Sequence, residues 1–335
     1  MSELNNIALK ILNNGKGILA ADESTATMTK RLESVKVQST PENRLLFRET
    51  LFSASGMTKY IGGVILYDET IKQISSKKNK IPELISAMGS APGIKVDTGA
   101  KVLAGSTNEK ITEGLDGLRE RLKEYYKLGA KFTKWRGVYN ISREHPSKLS
   151  IQSNAHALAR YSALVQECNM VPIVEPEVLM DGDHSAKECY EKTSEVIKKC
   201  FEELILHKVD LKGIILKPNM ILDGNKCKIK ISNEEVAKLT LKCLKASVPS
   251  EVPGIAFLSG GQSEIEATEN LDLINKYNDT NFIMSYSYGR ALQQSALKLW
   301  SQDTKNVDGT QKIFNQRAKM NSLAAQGKWS KELEN

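Results

Sequence analysis

The chain has 335 residues, 40% of them hydrophobic and 26% charged, which is enough apolar material for one large core or two small ones and carries no signature of disorder. Lys and Arg number 47 against 40 Asp and Glu, giving +7, and aromatics make up only 6%. That mild basic excess suits anionic substrates better than nucleic acid, and no nucleic-acid partner is expected. The densest basic cluster, Lys77-Lys78-Asn79-Lys80, reads as a solvated loop. Five cysteines at positions 168, 189, 200, 227 and 243 form no CxxC pair, so reduced thiols are expected, with Cys189, Cys200 and Cys243 as small hydrophobes on helical stripes. The four histidines show no HExxH or HxH spacing, and the run Asp181–His184 reads as a turn before a helix, so neither a metal nor another cofactor is expected. There is no secretory h-region and no apolar run of membrane-spanning length, so a soluble, cytoplasmic protein without membrane insertion is expected.

In chain order, a short N-terminal helix precedes eight β-rich runs: Gly17–Asp22, Gly62–Tyr67, Gly93–Thr98, Lys131–Val138, Val171–Val178, Gly213–Met220, Gly254–Gly260 and Asn281–Tyr288. Their starts lie 27 to 45 residues apart, room for a helix and two loops and too much for a hairpin. The intervals carry helical signals. Leu115, Leu118, Leu122 and Tyr125 recur at helical spacing before Gly129, and Val196, Ile197, Cys200, Phe201 and Leu204 form another stripe. Thr40-Pro41 marks a helix start, and Ser232 with Glu235 and Ser263 with Glu266 have capping-box spacing. Eight strand-helix units imply parallel pairing through right-handed crossovers and closure into a (β/α)8 TIM barrel. Residues 17–290 are expected to form this barrel as a single domain, with residues 291–335 a helical C-terminal extension. An open doubly wound sheet would want GxGxxG after the first strand, where Ala-Asp-Glu-Ser24 stands instead.

Strands of a parallel barrel are expected to be nearly continuous apolar runs, yet Lys95 and Asp97, Lys134 and Arg136, Glu175 and Glu177, Lys217 and Asn219, and Ser285 and Ser287 stand at i, i+2 on five of these. Each pair points to one side of the sheet, toward the strand end where barrel enzymes keep their chemistry. With Asp22 the set holds four cations (Lys95, Lys134, Arg136, Lys217) and four anions (Asp22, Asp97, Glu175, Glu177), so burial is tolerable although each ion costs several kcal/mol to desolvate.

Lys217 is flanked by Ile214-Ile215-Leu216 and Pro218. A lysine in an apolar setting beside a second cation is pushed toward neutrality, since two unit charges 4 Å apart repel by about 4 kcal/mol at an effective dielectric of 20. A neutral amine attacks carbonyls, so a Schiff base is the natural chemistry, with Glu175 and Glu177 as acid and base for carbinolamine dehydration. Two carboxylates alone would also suit glycoside hydrolysis; the surplus lysines do not. The seventh and eighth strands run into Ser259-Gly260-Gly261 and Ser287-Tyr288-Gly289-Arg290, where glycines and an arginine suit a phosphate. The expected substrate is therefore a phosphorylated carbonyl compound.

The motifs GKGILAADEST (15–25), GIKVDTG (93–99), KWR (134–136), VPIVEPEVLMDGDH (171–184), LKPNM (216–220), FLSGGQSE (257–264), SYGRALQ (287–293) and NSLAAQGKW (321–329) stand in the order of the class I fructose-1,6-bisphosphate aldolases, which the chain resembles over almost its whole length. The resemblance implies metal-free, reversible retro-aldol cleavage of fructose 1,6-bisphosphate to dihydroxyacetone phosphate and glyceraldehyde 3-phosphate. It implies Lys217 as the Schiff-base lysine, Glu175 as proton acceptor, Lys134 as the adjacent cation, Asp22 as the residue orienting the C4 hydroxyl and Lys134, and Glu177 as a supporting carboxylate. It further implies the C1 phosphate on Ser259, Gly260, Gly261, Ser287, Gly289 and Arg290, and the other phosphate on Lys95, Ser24, Thr27, Lys30 and Arg31, with Arg136 nearby. Thr27 stands where the family usually has Ser, and Thr98 where it has Lys. The family commonly carries a tail closing with Tyr that aids enamine proton exchange; no tyrosine follows Tyr288, so protonation of the enamine is expected to be slow or to fall to another group. A homotetramer and actin, cytoskeletal or adhesin-tail partners are also implied by the resemblance. A transaldolase or single-phosphate aldolase is the competing enzyme reading, and the two phosphate ends argue against it.

Overall fold

The computed structural model describes residues 2–334. Its strands are β1 (Gly17–Ala21), β2 (Ile61–Leu66), β3 (Ala91–Lys95), β4 (Gly99–Val102), β5 (Lys110–Glu113), β6 (Phe132–Tyr139), β7 (Val171–Val178), β8 (Ile215–Leu216), β9 (Gly254–Phe257) and β10 (Ile283–Tyr288). Eight of them close into a parallel barrel in the spatial order β1-β10-β9-β8-β7-β6-β3-β2, with β4 and β5 forming a separate antiparallel pair. The architecture is a (β/α)8 barrel, as the recurring strand-helix pattern predicts.

The period of two along each strand sorts residues between lumen and helical jacket. On β7, Val171 and Ile173 join the lumen cluster with Ile18, Ile65, Phe132, Ile215 and Ala256, whereas Val174 and Val178 pack outward under the helices. Glu175 and Glu177 continue the inward row of Val171 and Ile173. On β6 the same alternation turns Phe132 inward and Trp135 and Tyr139 outward. The inward rows are thus apolar at the N-terminal end and charged at the C-terminal end. Continuous apolar strands are not needed, because only the lower lumen is filled by hydrocarbon.

The helix Glu3–Leu12 closes the lower end, burying Ala8, Ile11 and Leu12 against the lumen cluster. Gly62 is what lets it approach: a Cβ there would stand 1.9 Å from the carbonyl oxygen of Ile11. At the other terminus, helices Arg290–Trp300 and Val307–Ala324 and the 3-10 turn Lys331–Glu334 form the expected helical extension. Thr40 caps Pro41–Phe52, and Ser263 with Glu266 makes a reciprocal capping box. Ser232 accepts from the Glu235 N–H without the reciprocal bond, while a full box unforeseen in the sequence joins Ser185 to Glu188 right after the Asp181–His184 turn. Burial pushes the thiols of Cys189 and Cys200 up to about 12 and that of Cys243 to about 11, consistent with inert core positions. Among the described residues, no helix is long and apolar enough to cross a membrane.

Three expectations change. The strand foreseen over Gly213–Met220 shrinks to Ile215–Leu216, because Leu211–Gly213 is a 3-10 turn and Pro218 offers no N–H to extend the ladder. Asn219 therefore leaves the i, i+2 register with Lys217: its amide accepts from the Val178 N–H at 3.0 Å and donates to Thr193 Oγ1 at 3.1 Å, facing a helix and not the lumen. The interval after β3 holds a hairpin as well as the helix Leu118–Lys127, and Leu115 lies before that helix. The hairpin is tied to the barrel by Thr112, whose hydroxyl donates to the Arg136 carbonyl at 2.6 Å.

Candidate active site

At the C-terminal mouth lies a cavity of about 680 Å³ whose wall includes Asp22, Lys95, Lys134, Glu175, Glu177 and Lys217. The same wall carries Asp97 and Arg136, so all eight expected charges converge there. Each has a partner. Glu175 lies between two ammonium groups, with Oε1 3.0 Å from Lys217 Nζ and Oε2 3.3 Å from Lys134 Nζ. Lys134 also reaches Asp22 Oδ2 at 2.7 Å. Lys95 pairs with Asp97 Oδ1 at 2.6 Å, and Arg136 pairs with Glu177.

A carboxylate between Lys217 and Lys134 is the feature spacing could not reveal, since the sequence places two cations close together without showing what separates them. The side chains of Lys134, Glu175 and Lys217 are about 95% buried, so their fields act with little solvent screening. Burial works to raise the Asp22 carboxyl, but the charges of Lys134 and Lys217 outweigh it and hold it at about 2. Glu175 is likewise held below the usual carboxylate range, its desolvation outweighed by Lys134, Lys217 and Arg136. Lys134 is raised: desolvation works against its charge, and Asp22, Glu175 and Asp97 more than restore it. In the resting site Lys134 is a fixed cation and Glu175 a fixed anion.

The neighbouring wall carries groups whose chemistry suits an anion. Ser259, Gly260, Ser287, Gly289 and Arg290 line it. Helix Arg290–Trp300 begins at Gly289 with no side-chain cap, leaving first-turn N–H groups for a ligand. Ser287 Oγ is buried without a hydrogen-bond partner, as expected of a hydroxyl that waits for one. Across the first strand, Ser24 caps helix Thr25–Ser34, its Oγ 3.1 Å from Thr27 Oγ1, and both residues reach the cavity. Arg31 also lies on the wall, paired with Glu23 and 3.5 Å from Gln293 Oε1. The two sets of residues expected to meet phosphates thus share a border at helix Arg290–Trp300.

Two expected residues stand off the wall. Lys30 is exposed on its helix, and Gly261, at φ +79, forms the turn behind Gly260, where an added Cβ would come 2.9 Å from Met180 Cβ. Ser285, two residues before Ser287, is spent on the carbonyl of Lys16 at 2.7 Å. Conversely, Glu23, Tyr67 and the hairpin residues Gly99 and Ala100 line the cavity although none is among the expected site residues, and so does Thr98, noted above only as a departure from the family pattern. Tyr67 was legible in principle, since it follows the lumen residue Ile65 at i+2.

A closed parallel barrel with lysines and carboxylates paired at its mouth beside an anion-binding wall is the architecture of a barrel enzyme acting on a phosphorylated substrate. Residues 3–335 match the class I fructose-bisphosphate aldolase family. The chain is 48% identical over 330 residues to a probable class 1 fructose-bisphosphate aldolase of Xylella fastidiosa, covering 98% of this chain and 99% of that one. It is 50% identical over 329 residues to the non-muscle fructose-bisphosphate aldolase of Lethenteron camtschaticum, covering 98% and 90%. The structure superposes on the Plasmodium falciparum aldolase, crystallised in a ternary complex with TRAP and a small-molecule inhibitor, with TM-score 0.96 and 44% identity over 98% of this chain and 95% of that one. The chain belongs to the class I fructose-bisphosphate aldolase family. It is a glycolytic lyase that cleaves fructose 1,6-bisphosphate reversibly to dihydroxyacetone phosphate and glyceraldehyde 3-phosphate through a lysine Schiff base.

Proposed function

We propose that Lys217 forms the Schiff base and that Glu175 moves the protons, and the observation that carries this assignment is the Glu175 carboxylate held 3.0 Å from Lys217 Nζ and 3.3 Å from Lys134 Nζ. A proton passed from the Lys217 ammonium to Glu175 leaves a neutral amine that attacks the C2 carbonyl. Glu175 returns that proton to the departing hydroxyl of the carbinolamine, and water leaves. The iminium carries the positive charge the lysine had, so the balance with Glu175 and Asp22 is kept. Glu175 then takes the C4 hydroxyl proton, C3–C4 breaks, glyceraldehyde 3-phosphate departs, and the electron pair enters the iminium to give the enamine. Protonation at C3, which balances the proton left on Glu175 whether it passes directly or through solvent, and hydrolysis of the resulting iminium release dihydroxyacetone phosphate and restore Lys217 and the Glu175 carboxylate. Lys134 stays charged throughout and favours the ionised form of Glu175; Asp22 fixes Lys134, and Glu177 acts through Arg136.

In the same reading Ser259, Gly260, Ser287, Gly289 and Arg290 take the C1 phosphate, with Gly261 shaping the turn. Lys95, Ser24, Thr27 and Arg31 take the other, with Lys30 and Arg136 adding charge at the rim. The test is Lys217→Met: cleavage is abolished while the affinity for the bisphosphate changes only a few-fold. Retained cleavage would refute the assignment.

The chain is proposed to act as one domain, assembled as a homotetramer in the cytoplasm, as the family resemblance implies. The Plasmodium relative crystallised with TRAP supports a further role in which an adhesin-tail or cytoskeletal partner meets the mouth of the barrel. Competition between fructose 1,6-bisphosphate and an adhesin-tail peptide for the free protein tests it; independent binding would place that role elsewhere.

A further inference from the structure

On the outer face of the barrel, three side chains from two neighbouring helices converge. His156 belongs to helix Lys148–Glu167, Glu203 to the last turn of helix Ala186–Leu206, and His207 caps that helix. Among the described residues this is the one group of three or more His, Cys, Asp and Glu whose candidate ligand atoms all lie within 4.8 Å of one another. His156 Nδ1 is 3.1 Å and His207 Nδ1 3.9 Å from the same oxygen, Glu203 Oε2. The rings meet edge to face, 4.9 Å between centroids at 71°.

Four ligands about 2.0–2.1 Å from a tetrahedral zinc ion are separated from each other by about 3.3 Å. The His156 Nδ1 to Glu203 Oε2 spacing of 3.1 Å is already close to that value, and the candidate atoms of all three side chains lie within 4.8 Å of one another, so small side-chain rotations seat an ion. The carboxylate is already set. Glu203 is 4% exposed, and its second oxygen accepts from Gln152 Nε2 at 2.5 Å, an outer contact of the kind that orients metal-bound carboxylates. The Nδ1–H of His207 donates to the Glu203 carbonyl at 2.9 Å, which keeps that ring beside Glu203 and leaves Nε2 as the lone pair for an ion. The opposing charge is Lys199, whose Nζ is 3.7 Å from Glu203 Oε1, but it also pairs with Glu202 at 3.1 Å and can withdraw toward it.

We propose that His156, Glu203 and His207 form a zinc site that staples helices Lys148–Glu167 and Ala186–Leu206, with water in the fourth position. None of the three lines the catalytic cavity, so the ion takes no part in aldol cleavage. The sequence hid the site because the nearest of the three along the chain to His156 is Glu203, 47 residues on.

The test is Zn²⁺ binding to the reduced, chelator-stripped full chain, in a Cys168→Ser, Cys227→Ser background that removes the two partly exposed thiols. The expected result is one equivalent per chain and a raised thermal midpoint. His156→Ala, a change at an exposed ring, is expected to weaken binding at least about 100-fold and abolish the thermal shift, with aldolase activity unchanged. His207→Ala should do the same. No uptake by the parent, or equal uptake by parent and both variants, overturns the proposal.

Discussion

Asp22→Asn isolates one charge in the buried chain that runs from Lys217 through Glu175 and Lys134 to Asp22. The substitution keeps shape and a hydrogen-bond acceptor opposite Lys134 but removes the anion 2.7 Å from its ammonium. In the folded protein Asp22 is lowered from 3.8 to about 2, and at about 1.4 kcal/mol per pKa unit this is worth roughly 2 kcal/mol. That is less than the about 3–5 kcal/mol typical of breaking a buried pair outright, as expected where Glu175 remains 3.3 Å from Lys134. A depressed carboxyl stabilises in full above its unfolded value of 3.8 and loses that stabilisation as pH falls through about 2. Urea unfolding should therefore show the variant about 2 kcal/mol less stable at pH 7 and at pH 5, with the gap narrowing to roughly half by pH 3. In steady-state cleavage assays, kcat should fall about 100-fold as Glu175 is drawn toward the unneutralised Lys134, while KM changes little. Equal stability at pH 7, a gap that widens on acidification, or a pure KM effect would refute the reasoning.

Other outcomes follow from the same geometry. Arg31→Ala should raise KM for fructose 1,6-bisphosphate about tenfold or more while sparing fructose 1-phosphate, and Arg290→Ala should weaken both; charge-assisted phosphate contacts are worth about 1.5–3 kcal/mol. Equal effects on the two sugars for Arg31→Ala would move that residue away from the second phosphate. Gly62→Ala drives a Cβ to within 1.9 Å of the Ile11 carbonyl and should cost about 3 kcal/mol in urea unfolding or release the N-terminal helix to protease; wild-type stability and protease resistance would contradict the close approach. Glu175→Gln should slow both imine formation and bond cleavage in single-turnover experiments, and loss of only one step would assign the other proton transfer elsewhere.

The barrel was legible because inward and outward residues alternate with period two, and because apolar runs recur with helix signals between them. The charged pairs were legible for the same reason: Lys134 with Arg136 and Glu175 with Glu177 can share a face only if the strand is regular. Where regularity fails, so does the inference. Asn219 lies past Pro218, where β8 has ended, and it turns to Thr193 at 3.1 Å. Glu23 follows Asp22 and sits outside the strand pattern, so no spacing marks it, yet it pairs with Arg31 on the cavity wall. The placement of Glu175 between two lysines depends on how three adjacent strands are staggered around the barrel, and no local spacing encodes that.

The most direct test of the account is borohydride reduction of the enzyme with substrate present, followed by peptide mass analysis. The predicted result is a stable substrate adduct on Lys217, lost in Lys217→Met and indifferent to EDTA. An adduct on Lys134 or Lys95, or cleavage that requires a divalent metal and leaves no adduct, would contradict it.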